Sequence, residues 1–184
     1  MKKLLSILLI IQISLSISAQ TAETEINWMT FNDALKAQKE HPKKIMMDVY
    51  TNWCGPCKLM DEKTFKNPDV INYINTHFYP VKFNGEGPGK IKYDGQVFKN
   101  TSYDPKKIYS KNSAHQLTDY LQIQGFPSIL FFEEDSGLLV ALPGYRTAKQ
   151  LEFHLKLFGS NAYKKINTQA DYQKYQDEFE YIFE

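Results

Sequence analysis

The chain has 184 residues, with 22 Lys and Arg against 21 Asp and Glu, a formal charge of +1. The signs are interspersed, so there is no electrostatic footprint for nucleic acid and no Lys/Arg run long enough to hold a membrane surface. A structural zinc site needs four ligands, and beside the two cysteines His41, His77, His115 and His154 are scattered singly.

Lys2 and Lys3, an apolar run over residues 4–17, and the small residues Ser18 and Ala19 read as an export signal over residues 1–19. It is expected to be cleaved near Ala19, with an uncleaved membrane anchor as the alternative. The run is short for a transmembrane helix, and no cysteine follows it to carry a lipid. Removing it takes two lysines and no acids, leaving residues 20–184 at a formal charge of −1, the size of one ordinary domain.

Residues 26–29 suit a short edge strand, and Thr30 is placed to cap a helix over residues 31–40. Residues 44–50 form a near-continuous apolar strand, as expected of a buried central position. A helix is expected over residues 54–63. Asn67-Pro68 reads as an N-cap with proline at N1 for a second, running to residue 75. A buried strand over 78–83, a short helix over 113–123 and a hairpin of 128–132 with 138–142 follow. Thr147 and Gln150 make a capping box for a helix that Gly159 is expected to stop. The order is that of an α/β sandwich with helices on both faces of one sheet.

Cys54 and Cys57, in Trp53-Cys54-Gly55-Pro56-Cys57-Lys58, are the only cysteines. If Cys54 opens a helix, free backbone N–H groups and the positive end of the dipole favour its thiolate, making it the nucleophile. Cys57, one turn further in and shielded, can then attack Cys54 and release what it captured. A structural disulfide remains an alternative. So does a peroxidatic site, because Thr51 lies three residues before Cys54, although no stabilising Arg is evident.

The residues from 26 to 159 resemble thioredoxins. Residues 53–58 reproduce the active-site sequence, and Asp48, six residues before Cys54, matches the buried aspartate behind the second cysteine. Lys82, in Val81-Lys82-Phe83-Asn84, matches its paired lysine, Gly125-Phe126-Pro127-Ser128 the cis-proline loop, and Gly144 the glycine after the last strand. The continuation through Thr64-Phe65-Lys66-Asn67-Pro68 is similar to exported members and to the C-terminal domain of transmembrane disulfide reductases. The resemblance implies a thioredoxin fold with a central mixed sheet. It implies catalytic roles for Cys54, Cys57, Asp48 and Lys82, with Cys54 and Cys57 as a redox-active disulfide, and a substrate surface of Trp53, Gly55, Pro56, Phe126 and Pro127. No cofactor and no metal are expected. Asp48 could instead be a strand-end residue bonded to backbone, Lys82 could point outward, and Pro127 could be an ordinary trans edge proline.

Two stretches depart from the family. Residues 85–112 form an insert with local charge +3 and Tyr93, Phe98, Tyr103 and Tyr109 among its lysines, in which Asp94-Gly95 suits a type I′ hairpin. A substrate-selecting flap and a plain surface excursion both fit it. Residues 160–184 form a C-terminal extension with Tyr172, Tyr175, Phe179 and Ile182 on one stripe of a helix from about residue 168. That stripe can dock on its own domain or on a partner.

The expected function is exported thiol-disulfide exchange in the periplasm or outside the cell, reducing cysteine-containing envelope proteins with electrons from a membrane or soluble thiol protein. The same chemistry run as an oxidase or isomerase is an alternative, as is a non-catalytic thioredoxin-fold binding module. Oligomeric state is not legible.

Overall fold

The computed structural model describes residues 24–183. The export-signal reading of residues 1–19 lies outside them. Thr30 caps α1 (Phe31–Glu40), its hydroxyl accepting the Asp33 N–H at 3.2 Å. The chain then runs through β1 (Ile45–Tyr50), α2 (Gly55–Leu59), α3 (Pro68–His77), β2 (Tyr79–Asn84), and the hairpin of β3 (Ile91–Tyr93) and β4 (Gln96–Phe98). After α4 (Gln116–Tyr120) come β5 (Ser128–Phe132), β6 (Leu138–Pro143), α5 (Ala148–Gly159) and α6 (Gln169–Asp177).

One sheet has the order β2-β1-β5-β6, with β1 parallel to β2 and antiparallel to β5, and β6 antiparallel to β5. Alternation along β1 divides the apolar residues between two cores. Ile45, Met47 and Val49 pack with Phe31 and Ala34 of α1 and Leu117 of α4. Met46 packs with Val70, Ile71 and Ile74 of α3 and Leu151 and Leu155 of α5. Helices therefore cover both faces of a mixed sheet, which is the expected fold class.

Several boundaries differ from expectation for identifiable reasons. Residues 26–29 contribute only a bridge between Met29 and Val81. The Trp28 N–H is bonded to Ile26 and the Asn27 N–H to the Asn75 side chain, so neither can join a ladder. The helix after Cys54 does not run unbroken to residue 63: a π turn over Met60–Thr64 follows α2, closed by the Phe65 N–H on the Met60 carbonyl. That wider turn lets Met60 and Phe65 enter one core, although a regular helix would splay residues five apart. α4 is shorter than 113–123 because the ring of His115 caps it, accepting the Leu117 N–H at 3.0 Å, and Gln122 leaves it at φ 54°. α5 does end at Gly159, but not because the glycine turns left-handed. It lies in the helix, where a Cβ would come within 2.9 Å of the Tyr73 ring, and the left-handed residue is Asn161 at φ 64°.

The Asp94-Gly95 turn has both residues at positive φ, 48° and 69°, as a type I′ hairpin requires. Its strands place Ile91 and Phe98 in the core beneath α1. In the tail, Thr168 and Asp171 make a capping box for α6, and Tyr172, Tyr175 and Phe179 surround the Phe153 ring. Ile182 is not part of that stripe and is 66% exposed, because the helix ends before it. Phe183 is buried in its stead, and the N–H groups of both residues donate to the fully buried carboxylate of Glu152.

Candidate active site

β1 delivers the chain to Cys54, the N-cap of α2, whose sulfur accepts the Cys57 N–H at 3.1 Å. The two cysteines are joined as a disulfide with their Cα atoms 5.3 Å apart. Cys57 is shielded as expected, at 3% exposed, but Cys54 at the helix start is equally buried, at 2%. The disulfide turns the Cys54 sulfur inward onto its partner. What separates the two is position: Cys54 precedes the first turn and Cys57 lies within it. Gly55 and Pro56, between them, are exposed.

Asp48 is 2% exposed, and its strand partner across β1 and β2 is Lys82. The Lys82 ammonium turns inward, 2.7 Å from Asp48 Oδ2, and not out to solvent. It also meets the Asp61 carboxylate and lies 4.9–5.1 Å from the ring centres of Trp28, Tyr50 and Phe65. Asp48 Oδ1 has no hydrogen-bond partner among the described residues. By the alternation that sends Met46 to the α3/α5 side, Asp48 faces the side on which Met60 and Phe65 pack after Cys57. Burial lifts the Asp48 carboxyl from its ordinary 3.8 to about 6 against the pull of Lys82, with Asp61 adding to the rise. Burial alone would lower Lys82, but Asp48 and Asp61 more than offset it and hold the ammonium above its usual range. A carboxyl group with such a pKa can take up and give back a proton near neutral pH.

Beside the pair, Trp53 is 39% exposed and its indole N–H donates to Glu86 Oε2 at 2.7 Å. Phe126 meets it edge to face, with centroids 6.3 Å apart. The Phe126–Pro127 bond is cis, as expected from the loop sequence. The Pro127 carbonyl accepts the N–H of Gly144, which sits at φ 91° where a side chain would be strained. Gly85 is required for packing: a Cβ there would lie 2.5 Å from the Phe126 ring. Trp53, Gly55 and Pro56 are exposed next to the cysteines in sequence, Phe126 is half-buried against Trp53, and Pro127 is buried.

Three residues of this region were not singled out from the sequence. Asp61 shares Lys82, Glu86 anchors Trp53, and the Asn52 side-chain amide donates to the Ile108 carbonyl at 2.9 Å. The only available signal was for Glu86, an acid between two glycines directly after a buried strand.

Residues 31–159 match the thioredoxin-like domain family. The chain is similar to the thiol:disulfide interchange protein DsbD of Pectobacterium atrosepticum, 23% identical over 77% of this chain and 21% of that protein. The chain thus spans about a fifth of that relative's length. Among solved structures it resembles a thioredoxin-fold protein from Helicobacter pylori, with TM-score 0.59 and 16% identity over 86% of this chain and 91% of the other. It also resembles a thioredoxin from Thermus thermophilus, with TM-score 0.56 and 16% identity over 79% and 98%. With a disulfide at the start of α2 and a family match that runs through both of its cores, the chain belongs to the thioredoxin-like domain family.

Proposed function

We propose that this protein is a thiol-disulfide oxidoreductase that runs as a reductase of protein disulfides outside the cytoplasm. The observation that carries the mechanism is the redox pair at the start of α2 with the buried, half-unbonded Asp48 carboxylate facing the side on which that helix packs.

In the reduced protein the Cys54 thiolate attacks one sulfur of a substrate disulfide. One S–S bond forms as another breaks, and the first substrate sulfur leaves as a thiolate that takes a proton from solvent. Asp48 then accepts the Cys57 proton, Cys57 attacks the Cys54 sulfur, and the second substrate sulfur departs as a thiolate that takes up a proton as Asp48 gives its own back. The substrate gains two electrons and two protons, and the pair becomes the disulfide. Lys82 holds Asp48 in place and balances its charge. Trp53, Gly55, Pro56 and the backbone at Phe126-Pro127 receive the substrate segment as an added strand. A dithiol protein, membrane-bound or soluble, must reduce Cys54–Cys57 again for the next turnover. Gly55-Pro56, which resembles the dipeptide of reducing family members, supports this direction. Export is supported by Lys2, Lys3 and the apolar run that follows. The substrates are then cysteine-containing proteins of the cell envelope.

Trapping tests the order of attack. Cys57→Ser should accumulate mixed disulfides with oxidised protein substrates, seen as reductant-sensitive bands, and Cys54→Ser should not. The reverse pattern overturns the assignment, and turnover with neither variant impaired overturns the chemistry.

A further inference from the structure

Residues 85–112 divide into two parts that do different things. The β3–β4 hairpin belongs to the core, through Ile91 and Phe98. The remainder returns to the redox pair. Asn100 holds it in place, donating to the carbonyls of Glu86 at 3.1 Å and Ser113 at 2.7 Å. It then closes on itself: the Asp104 N–H donates to the Asn112 side-chain oxygen at 3.0 Å, and the Asn112 amide donates back to the Asp104 carbonyl at 2.8 Å.

The loop so closed, residues 104–112, is tied twice to the segment that carries Cys54. Asn52 bonds the Ile108 carbonyl. Glu86 Oε2 accepts the Trp53 indole N–H at 2.7 Å and the Asn112 N–H at 2.8 Å, so one carboxylate oxygen couples the exposed tryptophan to the base of the loop. Bonds to an ionised acceptor are the strong kind, which suits a fixed wall better than a loose excursion.

What the loop turns outward does not serve its own packing. Ile108 is 44% exposed and Tyr109 79%, and Lys106, Lys107 and Lys111 stand exposed around them. Its one acid, Asp104, is half-buried and engaged by its own backbone, accepting the Lys106 N–H at 2.9 Å as the cap of Pro105–Lys107. An aromatic and an aliphatic side chain among three ammonium groups, fixed beside Trp53, complement a segment with carboxylates around an apolar residue.

We propose that residues 104–112 form a docking arm for protein substrates whose disulfide is flanked by acidic residues. The substrate's carboxylates pair with Lys106, Lys107 and Lys111, and its apolar side chain packs on Ile108 and Tyr109. The arm performs no chemistry. It raises the population of substrates oriented with their disulfide at Cys54. This rests on the disulfide-exchange reading and names its substrate class.

The test compares three oxidised probes: uncharged 2-hydroxyethyl disulfide, and two synthetic peptides, each closed by one internal disulfide and flanked by Asp/Glu in one and by Lys in the other. The intact chain should reduce the acidic peptide about five- to tenfold faster than the basic one in kcat/KM at low salt, the size that two or three exposed ion pairs supply. Added salt should narrow the gap, because exposed charges are screened over about 8–10 Å. Lys106→Glu, Lys107→Glu and Lys111→Glu together should reverse the preference, while the uncharged probe is reduced at the same rate in both proteins. Rates blind to peptide charge in the intact chain, or a preference that survives the triple reversal, overturn the docking arm alone. Failure to reduce any of the three overturns the exchange reading and the arm with it.

Discussion

Asp48 binds its proton more tightly in the folded protein than in the unfolded chain, because burial lifts its pKa from 3.8 to about 6. A group raised in this way favours folding most at low pH, and that contribution is lost as pH rises through about 6. Asp48→Asn should therefore raise the stability of the oxidised protein at pH 8 by about 1–3 kcal/mol, with the gain vanishing near pH 4, since Lys82 keeps Asp61 as a partner. Urea unfolding at the two pH values checks it, and equal stabilities at pH 8 would mean that Asp48 is not held against its preferred state. The same substitution should slow the release step of exchange and flatten its rise with pH through about 6 while sparing the capture step. Asp61→Asn makes a separate prediction. It removes a charge that raises Asp48 and leaves Lys82 to Asp48 alone, so the pH midpoint of release should move to lower pH in single-turnover kinetics.

At the scale of elements, local chemistry was legible and distant pairing was not. Thr30, the Thr147–Gln150 box and Asp94-Gly95 announce α1, α5 and the β3–β4 turn within a few residues of themselves, and the apolar run of β1 announces a central strand. The cysteine pair was equally local, whereas the cis proline was legible only through the resemblance of Gly125-Phe126-Pro127-Ser128 to the family's loop. Asp61 meets Lys82 only because a π turn and a sheet crossing bring together residues 21 apart in sequence, and nothing at either position signals the other. The tail shows the same limit. Its aromatic stripe was readable as far as Phe179, but not that the chain would leave the helix and bury Phe183 between Tyr73 and the Lys156 ammonium, over a carboxylate from α5. That end contact should stabilise the protein without touching its chemistry. Phe183→Ala is expected to cost about 2–4 kcal/mol in denaturant unfolding, as deletion of a buried aromatic does. The rate on 2-hydroxyethyl disulfide at 25 °C should stay unchanged, and a matching fall in that rate would connect the tail to the site.

For the molecule as a whole, the direction of electron flow depends on how strongly the folded protein stabilises the reduced pair relative to the disulfide. Strong oxidants of this chemistry owe their potential to a well-stabilised thiolate. Little in this protein provides one. Gly55 and Pro56 carry no charge, α2 is only five residues long, and the half-buried Lys82 is already shared by Asp48 and Asp61. The Asp48 carboxylate, facing the side on which the helix packs, opposes a second negative charge in the same region. The pair should therefore be reducing, with a potential nearer the thioredoxin value of about −270 mV than the strongly oxidising value of about −120 mV. Equilibration against glutathione buffers, followed by thiol alkylation and mass measurement, gives the potential directly. The Trp53 fluorescence change offers a second readout beside the pair. A value below about −220 mV supports reductase action, whereas one above about −180 mV makes the protein an oxidant or isomerase toward most protein thiols. Each ~30 mV between those limits is about 1.4 kcal/mol of differential stability between the two states. Asp48→Asn and Asp61→Asn should both raise the potential, because each removes a negative charge that disfavours the thiolate, and a fall in either variant would contradict this account of the direction.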